Sequence, residues 1–150
     1  MVLEMRNQFS KNEMEFLKST YIARIATCSK DLIPHVTPIY FANDRLSLFF
    51  ATEKRTKKFS DIVENSHVSL VVDVFDADWL HDSKTGTRTN EKAIVISGIA
   101  SIRSKGPLYY KMYKTLFQKY PDYRTTEKWQ VGDLPIIRIS VRNVISWGLD

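Results

Sequence analysis

The sequence predicts a mainly β fold: six strands, mostly antiparallel, closing into a barrel with helices at its ends. Three observations predict it. Segments rich in β-branched and aromatic residues recur along the chain and are joined mostly by short turns. Residues 67–75 (HVSLVVDVF) and 136–147 (IIRISVRNVISW) alternate apolar and polar side chains with the period of two of a half-buried strand. Helical patterns are few and short, as expected when helices only close the ends of a sheet.

The elements follow in order. Residues 10–19 (SKNEMEFLKS) open with Ser10 and Glu13 at capping-box spacing, which predicts a short helix. Residues 21–28 (YIARIATC) read as a strand. SKDLI turns the chain into a second strand, residues 35–42 (HVTPIYFA), and NDR into a third, LSLFFA. Pro38 cannot donate to a ladder, so the second strand is expected at an edge or bulged. A helix follows, with Thr56 as its N-cap and Phe59, Ile62 and Val63 at i, i+3 and i+4 on its apolar face. The fourth strand, residues 67–75, puts Val68, Leu70, Val72 and Val74 on one face. Residues 76–91 are polar around KTGTR and read as a long hairpin connection or mobile loop that could carry Trp79 and His81 over a pocket. Residues 93–103 form the fifth strand, where Gly98 predicts a bulge or a close backbone approach. Gly106–Pro107 starts a third helix with an apolar stripe of Leu108, Met112 and Leu116. Residues 136–147 are the sixth strand. With no repeat, low-complexity stretch or linker, residues 1–150 are expected to form one domain.

Composition narrows the function classes. One cysteine, Cys28, excludes an internal disulfide framework and a zinc cluster, and suits a reducing cytoplasm. In its apolar strand Cys28 is expected to be buried and inert. No apolar run approaches the roughly 18 residues of a membrane span, and MVLEMRNQFS lacks a signal-peptide core. His35, His67 and His81 have no metal-ligand spacing, so no metal site is expected. Neither a GxGxxG nor a Walker loop is present. The net charge of +5 favours an anionic partner, whether nucleic acid, acidic lipid or a phosphorylated small molecule.

One stretch concentrates that charge. ATEKRTKKFSDIVEN, residues 51–65, holds Lys54, Arg55, Lys57 and Lys58, two of them in the first turn of the predicted helix. Each cation there costs about 0.3–1 kcal/mol against the helix dipole, and the carboxylates Asp61 and Glu64 come later, where the dipole favours cations. Three readings are open: a solvated charged turn, an anion site at a helix N-terminus, and a basic segment tracking nucleic acid. Thr52, ending a strand just before the cations, favours a compact phosphate clamp. A nucleic-acid surface would spread its cations along a face with aromatics between them, so nucleic acid is the less expected partner.

The succession "ARIAT", "PHVTPIYF", "FFATEKRTKKFSDI", "ENSHVSLVVD" and "ISGIASI", with the ending "RISVRNVISWG", resembles the pyridoxamine 5′-phosphate oxidase-like, FMN-binding split-barrel family. The resemblance covers roughly residues 20–103 and the C-terminal strand. It implies a six-stranded antiparallel split barrel that forms a homodimer, with two flavins in the subunit interface. By position, the segment from His35 to Tyr40, including Val36, Thr37 and Pro38, matches backbone along the isoalloxazine. Ala51 and Thr52 match a pair near the ribityl phosphate. Lys57 and Lys58 match an Arg-Lys pair on the FMN phosphate. Trp147 matches a tryptophan beside the flavin, donated by the second subunit.

Departures from the pattern matter as well. Lysine at 57 replaces an arginine and lacks its bidentate fork. The glutamine that the oxidase has near Ala93 is missing. The sequence stops at Asp150, before the oxidase's substrate-binding Arg and His, so vitamin B6 oxidation is not expected. The resemblance implies instead a cytoplasmic, FMN-dependent oxidoreductase that transfers hydride through flavin N5 to a small acceptor. No catalytic residue is assigned, because the cofactor carries that chemistry. Its alternatives are a reductase dependent on the deazaflavin coenzyme F-420, which would also use Lys54 and Arg55, and a non-catalytic flavin- or haem-binding module. Elsewhere, Arg24 is a candidate paired interior charge, and Tyr109, Tyr110 and Tyr113 are expected to pack.

Overall fold

The computed structural model describes residues 5–75, 91–121 and 132–149. The elements run α1 (Lys11–Ser19), β1 (Ile22–Cys28), β2 (Pro34–Tyr40), β3 (Ala42–Asn43), β4 (Ser47–Ala51), α2 (Lys57–Glu64), β5 (His67–Phe75), β6 (Glu91–Arg103), α3 (Pro107–Lys119) and β7 (Ile136–Trp147). All strands join one antiparallel sheet in the order β2-β1-β5-β6-β7-β4-β3. β2 and β3 are the two edges of that sheet, yet Phe41 alone separates them in the chain. The sheet must therefore curl until its edges approach, which makes the split barrel. Tyr120 sits at the join. Its hydroxyl accepts from the Phe41 N–H at 3.0 Å and lies 2.7 and 2.8 Å from the carbonyls of Phe41 and Tyr21.

Alternation sorts the side chains between two cores. Ala23, Ile25, Leu48, Phe50, Leu70, Val72, Ile94, Ile96, Ile137 and Ile139 point into the barrel and are buried. On the opposite face of β3, β4 and β7, the helix α3 packs Tyr109, Met112, Leu116 and Phe117 against Ala42, Phe49 and Ile136. The capping box of α1 forms as its spacing predicts: Ser10 Oγ accepts from the Glu13 N–H, and Glu13 accepts from the Ser10 N–H at 2.7 Å. Only 2 % exposed, Glu13 also accepts from Arg6 and from Ser146 Oγ at 2.7 Å, which ties α1 to the end of β7. Burial works to raise its carboxyl, but these donors hold it below the ordinary carboxylate range.

Both backbone signals in the strands have a visible consequence. β2, which carries Pro34 and Pro38, is an edge strand. At Gly98 the β6–β7 register shifts, so that Ser97 faces Asn143 and Gly98 faces Val141, and Arg142 is extruded. A Cβ on Gly98 would stand 2.5 Å from the Ser140 carbonyl oxygen, so glycine is required by the close approach.

Several expectations need correction. Among the described residues there are seven strands, not six: the segment expected as one strand over 35–42 divides at Phe41, where the chain passes from one sheet edge to the other, and its last residue, Ala42, pairs with β4 as part of β3. Val63 is 63 % exposed instead of facing the core, and Val74, near the end of β5, is also exposed. Arg24 is exposed on the outer face, where it pairs with Asp73 at 2.7 Å. Cys28 is half-buried on that same face. The expected loop around Trp79 and His81 lies outside the described residues.

Candidate functional site

The cationic stretch folds as a strand end, a short loop and a helix start. The Thr52 N–H bonds to the Pro135 carbonyl at 3.2 Å, which anchors the end of β4 beside the start of β7. Thr56 is the N-cap of α2: its Oγ1 accepts from the Phe59 N–H, donates to the Glu53 carbonyl at 2.9 Å and lies 3.2 Å from Thr52 Oγ1. Two threonine hydroxyls therefore meet directly in front of the helix. The N–H groups of Lys57 and Lys58 open the helix and have no acceptor within it.

Half of the positive charge is already matched. Arg55 is paired with Glu53, and Lys57 with Asp61 one helical turn later. Lys58 is half-buried. Its burial pushes the ammonium down from its ordinary value, and the nearby Glu53 charge partly restores it. Lys54 is exposed. What this segment presents is thus less a uniformly basic patch than two hydroxyls and a helix N-terminus with one half-buried lysine in its first turn.

The late carboxylates of α2 have a structural purpose that the dipole argument misses. Asp61 is only 1 % exposed, and its Oδ2 accepts from Thr27 Oγ1 of β1 at 2.8 Å. Glu64 accepts from the backbone N–H of Lys30, in the turn after β1. Together they dock the helix on the β1–β2 hairpin. This explains Val63 as well. The buried residues are Asp61 and Ile62, with Phe59 packed against the core, and the Thr27–Asp61 bond holds the helix in the rotation that turns Val63 outward. Burial acts to raise the Asp61 carboxyl, but hydrogen bonds from Lys57 and Thr27, then the Lys57 charge and His35, hold it below the ordinary carboxylate range. Thr27 pairs with His35 across β1 and β2, so His35 belongs to this cluster. Sequence reasoning left Thr27 out and gave Asp61 no partner. The available signals were the i, i+4 spacing of Lys57 and Asp61 and the inward phase of Thr27 on β1.

β2 supplies a second wall. Proline fits a ladder only where its N–H would face away from the neighbouring strand. Pro34 and Pro38 therefore fix the phase of the strand, and Val36, between them, presents its N–H and carbonyl outward. Val36 and Pro38 lie on the exposed outer face of the sheet, while His35 and Thr37 face Thr27 and Ile25 on the other side. A trough of about 640 Å³ runs over the outer face next to this end of β2, lined by Thr27, Cys28, Pro34, His67, Ser97 and the extruded Arg142.

Trp147 does not join the cluster. Ile136 and Trp147 are the two ends of β7. At about 3.3 Å per residue, roughly 35 Å of strand separates them. Ala51 pairs with Ile136, whereas Trp147 pairs with Ala93 at the far end and is 43 % exposed on the outer face. Ile22, Val36, Tyr40 and Ile145 are also exposed on that face. Ala51 and Thr52 thus lie with Lys57, Lys58 and His35 at one end of the barrel, and Trp147 at the other. Among the described residues no helix is long and apolar enough to cross a membrane, and no three His, Cys, Asp or Glu side chains converge as metal ligands.

A family model described as pyridoxamine 5′-phosphate oxidase matches residues 9–148. None of the curated proteins matches the chain. Solved structures with the same fold include the haem storage protein HutZ of Vibrio cholerae, with a TM-score of 0.70 and 14 % identity, covering 87 % of this chain and 89 % of that one. An FAD-binding protein of Mesorhizobium loti has a TM-score of 0.67 and 21 % identity, covering 95 % and 96 %. An F420 reductase has a TM-score of 0.65 and 21 % identity, covering 91 % and 98 %.

Proposed function

The chain belongs to the pyridoxamine 5′-phosphate oxidase family, and from that premise we propose that it is an FMN-binding oxidoreductase which holds the flavin phosphate at the start of α2. The observation that carries this reading is the meeting of the Thr52 and Thr56 hydroxyls in front of the opening N–H groups of α2, with Lys58 in its first turn. That donor set suits a phosphate monoester, which offers several acceptor oxygens and a charge that a helix N-terminus favours. The two opening N–H groups can donate to phosphate oxygens, the Thr52 hydroxyl can turn from Thr56 to do the same, and Thr56, whose one proton goes to the Glu53 carbonyl, holds the loop in place, while the Lys58 ammonium supplies the countercharge.

The remaining residues take their parts from geometry. As an edge strand, β2 offers the outward backbone groups of Val36 to a planar ring, and Pro38 stiffens the strand beside it. A bound flavin supplies reversible hydride chemistry, and the chain binds it, orients it and keeps water from it. The exposed apolar outer face is the surface on which a second copy would pack. Pairing there would bring the partner subunit's Trp147 toward a site that one chain leaves open.

The test is a visible absorption spectrum of the protein after incubation with FMN and removal of free cofactor. A retained flavin band at about one per chain is the expected result. A protein that keeps no flavin but retains F420 or haem would contradict the FMN assignment. The fold relatives that bind those groups make them the comparison ligands.

A further inference from the structure

We propose that Asp61 is a positioning residue that limits how much of the Lys57 charge reaches a bound phosphate, and so sets the preference for phosphorylated over unphosphorylated ligands. This rests on the anion site proposed above.

The geometry is that of an anchored counter-ion. One carboxylate oxygen of Asp61 pairs with Lys57 Nζ and the other accepts from Thr27 Oγ1 at 2.8 Å. Thr27 belongs to β1 and is buried, so Asp61 cannot follow Lys57 toward a ligand. The Lys57 side chain is half exposed, whereas that of Asp61 is 1 % exposed. An ammonium that left for a phosphate would abandon a buried carboxylate, and leaving such a group without its partner is costly. An ammonium that stayed would offer the phosphate two remaining protons, but with its charge already matched by Asp61. In both cases Lys57 contributes less than its position beside Lys58 suggests, and Lys58 becomes the principal phosphate cation. Asparagine at 61 keeps the shape and can still accept from Thr27, but removes the charge that holds Lys57.

The experiment compares FMN with riboflavin, which shares the ring but lacks the phosphate, by fluorescence titration. Asp61→Asn is expected to tighten FMN about three- to tenfold and leave riboflavin unchanged, a purely phosphate-dependent gain. Equal shifts for both ligands, or weaker FMN binding, would overturn the proposal by making Asp61 merely structural. The double variant K57M/D61N removes the pair together and strands no charge. It is expected to bind FMN within about twofold of the unaltered protein, whereas K58M loses about tenfold or more. A loss in the double variant as large as that of K58M would also overturn it. If the unaltered protein binds FMN no better than riboflavin, the anion site itself fails and the role of Asp61 with it.

Discussion

Thr52 and Trp147 lie at opposite ends of β7: Thr52, just past β4, is anchored to Pro135, which immediately precedes β7, and Trp147 closes the far end of that strand. No movement of a single barrel brings them together. If Trp147 lies beside a flavin held at α2, it comes from another copy of the chain. Light scattering should give twice the chain mass, and FMN should quench Trp147 fluorescence. Replacing Ile145, on the same exposed face, with aspartate should yield monomers in which that quenching is lost. A monomer that shows full quenching would refute the shared site.

The bulge at Gly98 makes a stability prediction. Gly98→Ala places a Cβ 2.5 Å from the Ser140 carbonyl oxygen and 2.6 Å from Ile139 Cγ2. Relieving that overlap should cost about 1–3 kcal/mol. At about 2–4 °C per kcal/mol, the melting temperature should fall by several degrees. An unchanged melting temperature would show that β7 can move away freely.

Acid should act through Glu13 and Asp61. Both carboxyls are held below the ordinary range in the folded chain, so the unfolded chain binds protons first as the pH falls. Their stabilisation is complete above the unfolded values, near about pH 4, and is lost as the pH drops through the lower folded values. Denaturant midpoints measured from pH 6 to pH 3 should fall for the unaltered protein and fall less for Asp61→Asn. Parallel curves would remove Asp61 from the acid response.

Lys119 gives the opposite end of the scale. Burial lowers its ammonium to about 8, although it donates to the Leu17 carbonyl at 2.9 Å and lies 3.9 Å over the Phe41 ring. Between that value and about 10.4 the unfolded chain holds the proton that the folded chain has released, so stability from this group rises with pH. Relative to Lys119→Met, the unaltered protein should therefore gain stability between about pH 8 and pH 10. A constant difference between the two would contradict the depressed value.

The parts of the fold legible in the sequence are those that local chemistry decides. Ser10 and Glu13 announce a capping box three residues apart, Thr56 caps the helix that follows it, Pro38 requires an edge, and Gly98 requires a close approach. Strand phases were equally legible where one face is buried throughout. What stayed hidden depends on residues far apart in the chain. Thr27 and Asp61 are 34 positions apart, and their bond sets the rotation of α2 that exposes Val63 and half-buries Lys58. The division of the second strand at Phe41 follows from curling of the whole sheet. The four cations read as one patch because sequence alone cannot show that Glu53 and Asp61 fold back on two of them.

Phosphate binding at the start of α2 is tested most directly by the ratio of riboflavin to FMN dissociation constants in the unaltered protein and in Lys58→Met. A charge-assisted contact worth about 1.5–3 kcal/mol makes FMN roughly ten- to a hundredfold tighter than riboflavin, with most of that preference lost in the variant. Equal affinities for the two flavins, or a preference that survives the loss of Lys58, would contradict the account.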